Sequence, residues 1–347
     1  MELKAAVIGC GRISPMHLVS IKKTKNARLV AVCDIKEDRA RAAAAANGCR
    51  YYTDYKKMLD DEDLDVVHIC TPHYLHHDMA VYAAQRGIHV ITEKPMAINY
   101  GDALDMVKKC RENGVTLSVM FQNRYNRAVQ YIKQEIGSGN LGRVLSARII
   151  VTWDRRDEYY LKSDWKGTWD KEGGGVVIDQ AIHSIDIVRY IIGKEALSVE
   201  ACIHNRRHKK FKIEDTAEGI IEFEDNILAS FYTMNYFTFD MPIEITFHCE
   251  KGVCGINGDE GFISYKDGRY VSIKPLDEDK IDYGNGAKKY WGYCHFIEIK
   301  NAYEAIEDKR NVGVNGEDCL KTQQIINSIY ESGKSGLKIY LKHDANI

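Results

Sequence analysis

Between positions 173 and 186 the chain reads Gly-Gly-Gly-Val-Val-Ile-Asp-Gln-Ala-Ile-His-Ser-Ile-Asp, a glycine triplet followed by an apolar run that carries two carboxylates and an imidazole. Helical periodicity over 176–192 sets Asp179, His183 and Asp186 on one face, while Val177, Ile178, Ile182, Ile185 and Val188 supply apolar surface. Imidazole titrates near neutrality, so His183 can take or return a hydroxyl proton when a neighbouring carboxylate orients it. Two plainer readings compete at this point. An Asp and a His at this spacing can simply cap backbone or face water. The pair could also begin a zinc site, but zinc wants three or four ligands and the sequence offers no second cluster at a characteristic spacing, so no metal is expected.

The elements that must position these groups begin at the N-terminus. Residues 3–8 form a short apolar run, then Gly9-Cys10-Gly11-Arg12-Ile13-Ser14 leads into a helical segment reaching about Lys23. The order strand, tight turn, helix suits a dinucleotide: the first glycine permits the turn, the second lets backbone approach a pyrophosphate, and the helix N-terminus attracts it. Ser14 stands where that fingerprint has a third glycine or alanine. The next strand, Arg28 to Asp34, ends in an acid 23 residues after Gly11. A carboxylate there accepts from the adenosine ribose and repels a 2'-phosphate, which points to NAD.

The alternation continues: helix 37–47, then Tyr51-Tyr52; helix 54–60, strand 65–70; helix 73–86, strand 88–92; helix 99–113, strand 116–120. Nearly unbroken apolar strands alternating with helices predict an α/β fold with a doubly wound parallel sheet, whose ligands lie beyond the strands' carboxyl ends. Two of those ends carry chemistry, Thr71-Pro72-His73 with His76 and His77, and Glu93-Lys94-Pro95. The histidines open a helix and read as cofactor-edge or surface packing. Lys94 can hold a hydroxyl and favour its ionised form, or pair with Glu93 in solvent.

After Met120 the chain reads Phe121-Gln-Asn-Arg-Tyr-Asn-Arg127, which places a domain boundary near 121, with domains at 1–121 and 122–347. A helix to about Ile136 and a strand over 143–152 follow. The loop 153–171 gathers Trp153, Arg155, Arg156, Tyr159, Tyr160, Trp165 and Trp169 just before the glycine triplet. Aromatic faces with Arg forks suit a sugar ring with an anionic or aromatic appendage, or pack loop against sheet. Alternating segments at 219–223, 227–235 and 243–249 predict a mostly antiparallel sheet. An open face with apolar residues calls for a covering copy of the chain, so a homo-oligomer is expected.

Composition excludes other partners. With 48 basic and 50 acidic residues among 347 the chain has no nucleic-acid or membrane-surface charge footprint. The run Arg206-Arg-His-Lys-Lys210 is one short segment between strands and reads as a solvated hairpin. Ten scattered cysteines without a C-x-x-C pair read as free thiols in a reducing compartment, and the N-terminus has no signal-peptide pattern, so a cytoplasmic location is expected.

Taken together, Gly9-Cys-Gly-Arg-Ile, His17, Cys70-Thr-Pro with His76, Glu93-Lys94-Pro95 and Gly174-Gly-x-x-x-Asp179-x-x-x-His183 resemble the glucose-fructose oxidoreductase, inositol dehydrogenase and rhizopine-catabolism (Gfo/Idh/MocA) family over nearly the whole chain, including the closing run from Val314 to Gly333. The resemblance implies a Rossmann domain and a C-terminal α+β domain with an open-faced sheet. It also implies hydride transfer between a nicotinamide and a sugar or cyclitol. It assigns Lys94, Asp179 and His183 to catalysis, with His183 the proton acceptor. Gly9, Gly11, Arg12, Ile13, Asp34, Thr71, Pro72, His73, His76, Glu93, Lys94 and Asn123 fall to the cofactor. Arg124, Trp153, Arg155, Tyr160 and Trp165, with Asp179 and His183, fall to the substrate. The expected reaction is NAD-dependent oxidation of a secondary hydroxyl, at C3, of a pyranose sugar, glycoside or nucleotide sugar. Inositol oxidation, a redox-neutral glycosidase working by oxidation and elimination, and a non-catalytic NAD sensor stay open.

Overall fold

The computed structural model describes residues 2–276, 281–283 and 294–342. In chain order the elements are β1 (Leu3–Ile8), α1 (Ser14–Lys23), β2 (Ala27–Cys33), α2 (Glu37–Asn47), β3 (Arg50–Tyr52), α3 (Tyr55–Asp61), β4 (Val66–Ile69), α4 (His76–Ala84), β5 (His89–Thr92), α5 (Tyr100–Glu112), β6 (Leu117–Val119), α6 (Arg127–Gly137), β7 (Val144–Thr152), α7 (Asp157–Leu161), α8 (Ile182–Ile192), β8 (Ala196–His204), β9 (Thr216–Phe223), β10 (Ile227–Met234), β11 (Glu244–Cys249), β12 (Gly252–Asn257), β13 (Glu260–Tyr265), β14 (Tyr270–Ile273), α9 (Cys294–Glu307), α10 (Gly316–Ser335) and β15 (Ile339–Tyr340). They pack into two compact units, residues 1–122 with 277–320, and 123–276 with 321–347.

The first unit holds a six-stranded sheet in the order β3-β2-β1-β4-β5-β6 with every pairing parallel. Helices cover both faces, which is why β1 and β4 are buried along nearly their whole length and read as unbroken apolar runs. The order reverses between β1 and β4, the place where doubly wound sheets bind nucleotides. The sequence reading assigned everything after 121 to a second domain, whereas the stretch 277–320 groups with this unit. The reason is burial: Ile299, Ala302, Tyr303 and Ile306 on α9 complete the cluster formed by Leu18 and Ile21 of α1.

The second unit holds a nine-stranded sheet, β14-β13-β12-β11-β7-β10-β9-β8-β15. It is mixed, since β10 runs parallel to β7 and the other pairings are antiparallel. Along β9 and β10 the alternation is clean. Ala217, Ile221, Ala229 and Phe231 are buried, whereas Ile220, Leu228 and Tyr232 are exposed on the opposite face. The open-faced sheet anticipated from the sequence is therefore present, with apolar residues on both sides.

Candidate active site

In the first unit the β1–α1 turn has the geometry a pyrophosphate requires. Gly9 has φ +93°, and a Cβ there would lie 2.6 Å from the Cys70 carbonyl oxygen, so only glycine fits where β1 passes the end of β4. Around Gly11, by contrast, a Cβ would meet no atom within 4 Å, leaving its backbone open to close approach. Arg12 and Ile13 complete the turn, and Ile13, at the N-cap of α1, contributes no side-chain cap to the helix N-terminus. Ser14 is buried and donates its hydroxyl to Gly11 O at 2.8 Å, so the departure from the fingerprint braces the turn.

Asp34 ends β2 and accepts Cys10 N at 2.9 Å on one oxygen and Lys36 N at 2.8 Å on the other. Its carboxylate is thus fixed beside the glycine turn. These features fit NAD: Gly9, Gly11 and the α1 N-terminus would hold its pyrophosphate, and Asp34 its adenosine ribose.

The loaded strand ends are cross-braced. Thr71 and Pro72 lead into a tight turn over His73–Leu75, and His73 packs against His76 with ring centroids 6.0 Å apart. His76 is fully buried, its ring nitrogens 2.7 Å from Pro95 O and 3.0 Å from Thr71 O. It ties the end of β4 to the Glu93-Lys94-Pro95 segment. The Lys94–Pro95 peptide is cis. Glu93 is buried, 3.2 Å from His17 Nε2 and 3.5 Å from His295 Nε2. Burial opposes its ionisation, yet those two imidazoles hold its carboxyl well below the usual range. His17 in turn meets His68 at 2.8 Å, and His68 meets the Tyr303 hydroxyl at 2.9 Å. Glu93 also accepts Lys94 N at 3.2 Å. It therefore anchors the backbone that carries Lys94.

In the second unit the glycine triplet and the residues after it depart from the expected regular helix. Residues Val176–Ala181 form a π-helical turn and α8 starts only at Ile182. The wider turn redistributes the faces, and such turns collect at functional sites. Asp179 and Asp186, expected on one face, part company. Asp186 is buried and takes the Arg124 guanidinium in a two-pronged pair at 2.7 Å on each oxygen, with Thr322 donating at 2.7 Å. Arg124, expected to meet substrate, is 2% exposed and committed to this pair. Asn123 is likewise buried, in the turn Gln122–Tyr125.

Asp179 keeps its place. On the single oxygen Oδ2 it accepts the Tyr159 hydroxyl at 2.5 Å, Gln180 Nε2 at 2.6 Å and Lys166 Nζ at 3.0 Å. The next tier is also connected, because Asn235 Nδ2 donates both to Gln180 Oε1 at 3.2 Å and to the Tyr160 hydroxyl at 2.6 Å. Tyr160, expected at the substrate, is 1% exposed, and its bulk fills the core under Asp179. Trp153 is half-buried, and the Arg155 side chain is only 12% exposed. Arg155 stacks over Trp153 at 4.7 Å and bonds Asp240 at 2.8 Å. Trp165 is half-buried, with Lys166 Nζ 4.5 Å from its ring. His183 opens α8, partly exposed.

The strap Gly173–Gly175 exists because two buried glutamates hold its ends. Glu172 accepts Gly167 N at 2.6 Å and Lys166 Nζ at 3.2 Å. Glu214 accepts Gly175 N at 2.8 Å, Val177 N at 3.0 Å and the Tyr330 hydroxyl at 2.9 Å. A Cβ at Gly174 would fall 2.1 Å from that hydroxyl and one at Gly175 1.9 Å from Glu214 O. Tyr159 stands among the loop aromatics that the sequence offers to a sugar ring, whereas nothing in the sequence singles out Gln180 or Glu214 as site residues; a lysine among aromatics is the only local sign of Lys166. Among the described residues no group of three or more His, Cys, Asp or Glu could hold a metal.

The parallel sheet, the glycine turn and Asp34 are features of a nicotinamide-dependent oxidoreductase. Residues 3–121 match the model of an oxidoreductase family with an NAD-binding Rossmann fold, and residues 129–254 match the Gfo/Idh/MocA C-terminal domain. The chain is 30% identical to the D-glucoside 3-dehydrogenase of Escherichia coli, over 98% of this chain and 97% of that one. It is 28% identical to the myo-inositol 2-dehydrogenase of Thermotoga maritima, over 91% and 92%. Among solved structures, the WlbA dehydrogenase of Bordetella pertussis, in complex with NADH and UDP-GlcNAcA, superposes with a TM-score of 0.86 at 29% identity, over 99% of this chain and all of that one. The chain belongs to the Gfo/Idh/MocA family and is an NAD-dependent oxidoreductase.

Proposed function

We propose that the protein oxidises a secondary hydroxyl of a pyranose, free, as a glycoside or nucleotide-linked, at C3. The observation that carries this reading is Asp179, buried to 10% side-chain exposure and pinned through one oxygen four residues before His183. NAD, when bound, supplies the acceptor for the hydride that leaves the carbinol carbon. His183 takes the hydroxyl proton, the Lys94 ammonium holds the oxygen on which charge develops, and Asp179 orients the imidazole. The relatives named for glucosides and for UDP-GlcNAcA support a pyranose. The inositol 2-dehydrogenase relative supports a second reading, oxidation of a cyclitol bearing similar ring hydroxyls.

The test is a panel of free sugars, glycosides, nucleotide sugars and inositols incubated with NAD, followed at the NADH absorbance band, with the best pyranose remade with deuterium at C2, C3 or C4. Oxidation at C3 is expected to slow turnover and put label into NADH only for the C3 isotopomer. Label arriving from another carbon overturns the position, and activity on inositols alone overturns the pyranose. A copy of the chain covering the Ile220, Leu228 and Tyr232 face belongs to the same proposal; sedimentation as a monomer at micromolar concentration would contradict it.

A further inference from the structure

Lys166 lies in a loop, where a lysine is ordinarily solvated, yet its side chain is only 15% exposed. Its Nζ stands 3.0 Å from Asp179 Oδ2 and 3.2 Å from Glu172 Oε1, and the rings of Tyr159 and Trp165 flank it at 4.6 and 4.5 Å. Two carboxylates and two aromatic faces around one ammonium make a built site. The backbone locks it further. Gly167 follows at φ +78°, and a Cβ there would lie 2.6 Å from the Phe211 ring. The Gly167 amide bonds the same Glu172 that holds the lysine. Swinging away would cost the ammonium both carboxylates and both rings.

We propose that Lys166 is a positioning residue of the catalytic site: shared between Asp179 and Glu172, it fixes the charge and rotation of Asp179 and, through Asp179, the basicity of His183. This rests on the reading of Asp179 and His183 as the proton-handling pair. Because Lys166, Tyr159 and Gln180 all meet Oδ2, they direct the other carboxylate oxygen away from themselves and oppose its rotation. The cation is permanent: burial opposes its charge, but Asp179, Tyr159 and Glu172 more than offset that and raise its pKa. Glu172 is the variable partner. Burial first, then the charge of Asp179, push its carboxyl up, while Lys166 and the Gly167 amide pull it down. Tyr160 and Tyr330 also feel the charge of this group, and Tyr330 donates its hydroxyl to Glu214 at 2.9 Å. A Glu172 that gains a proton gives its share of the ammonium to Asp179.

Three variants test this: K166M, K166R and the charge-balanced K166M/E172Q, which avoids leaving a buried unpaired carboxylate should K166M fold poorly. Two readouts are followed. One is the pH profile of kcat on the best substrate of the panel. The other is the titration of His183 in the full-length protein labelled with ¹³C at histidine Cε1, the signal being identified by its absence in H183N. Removing the cation leaves the full Asp179 charge on the imidazole, so K166M and the double variant should titrate His183 about one pH unit higher, with the acid limb of kcat moving alongside, and K166R should restore both. Loss of kcat with an unmoved limb and an unmoved His183 titration would reduce Lys166 to a structural role and overturn the proposal. The titration needs no substrate. A wild-type protein silent across the panel would therefore count against the catalytic reading alone, and the proposal about Lys166 would still be decided by the His183 signal.

Discussion

Glu214 offers a prediction whose size follows from the structure. It is fully buried between the strap and Tyr330, and it caps the start of the segment carrying Asp179 and His183. Burial pushes its carboxyl from 4.5 up to about 7, against the opposing pull of Val177 N, the Tyr330 hydroxyl and Gly175 N. A carboxyl raised on folding makes the native state bind the proton more tightly than the unfolded chain does. Its contribution is therefore fully present below about pH 4.5 and is lost as pH climbs through about 7, a change of about 3 kcal/mol. Glu214→Gln removes the titration while keeping the shape. Urea unfolding followed by tryptophan fluorescence suits the measurement, since Trp153, Trp165 and Trp169 all lie in this unit. Between about pH 5 and pH 8 the wild type should lose about 2.5 kcal/mol relative to the variant. Other groups titrate in both proteins and cancel where their effects are independent. A difference that does not change with pH would show that the three donors keep Glu214 ionised throughout, and would refute the reasoning.

Gly9→Ala should weaken NAD binding at least about tenfold, because the added Cβ forces the turn away from the Cys70 carbonyl and displaces the amides around Gly11; unchanged affinity by calorimetry would contradict the cradle. Asp34→Ala should weaken NAD and narrow its advantage over NADP, which parallel titrations of the two cofactors can overturn. Arg124→Met should cost about 3 kcal/mol of stability by removing both prongs of the pair and leaving the buried Asp186 with only the Thr322 hydroxyl and Arg189 at 3.7 Å. A raised KM at unchanged stability would return Arg124 to the substrate.

The fold was legible because its signals are local. Apolar strand runs, the turn at Gly9 to Ile13 and the acid at Asp34 each follow from residues close in sequence. What was not legible depends on partners far along the chain. Arg124 meets Asp186 62 residues on, and nothing near either announces the pair. Tyr160 reads as an aromatic in a polar loop until Asn235 takes its hydroxyl. Glu214, 37 residues beyond Val177, caps a helix it does not belong to. The π-turn at Val176–Ala181 escapes periodicity, since its apolar residues fit an α-helix equally well. The grouping of residues 277–320 with the first unit rests on which core the apolar face of α9 fills, a choice that face does not encode by itself.

The most direct test of the account is NADH formation on the best substrate of the panel, measured together with NAD affinity in wild type, Lys94→Ala and His183→Ala. The account predicts that each variant loses about a hundredfold or more in turnover while binding NAD nearly as well as the wild type. Unchanged turnover in both variants would contradict it.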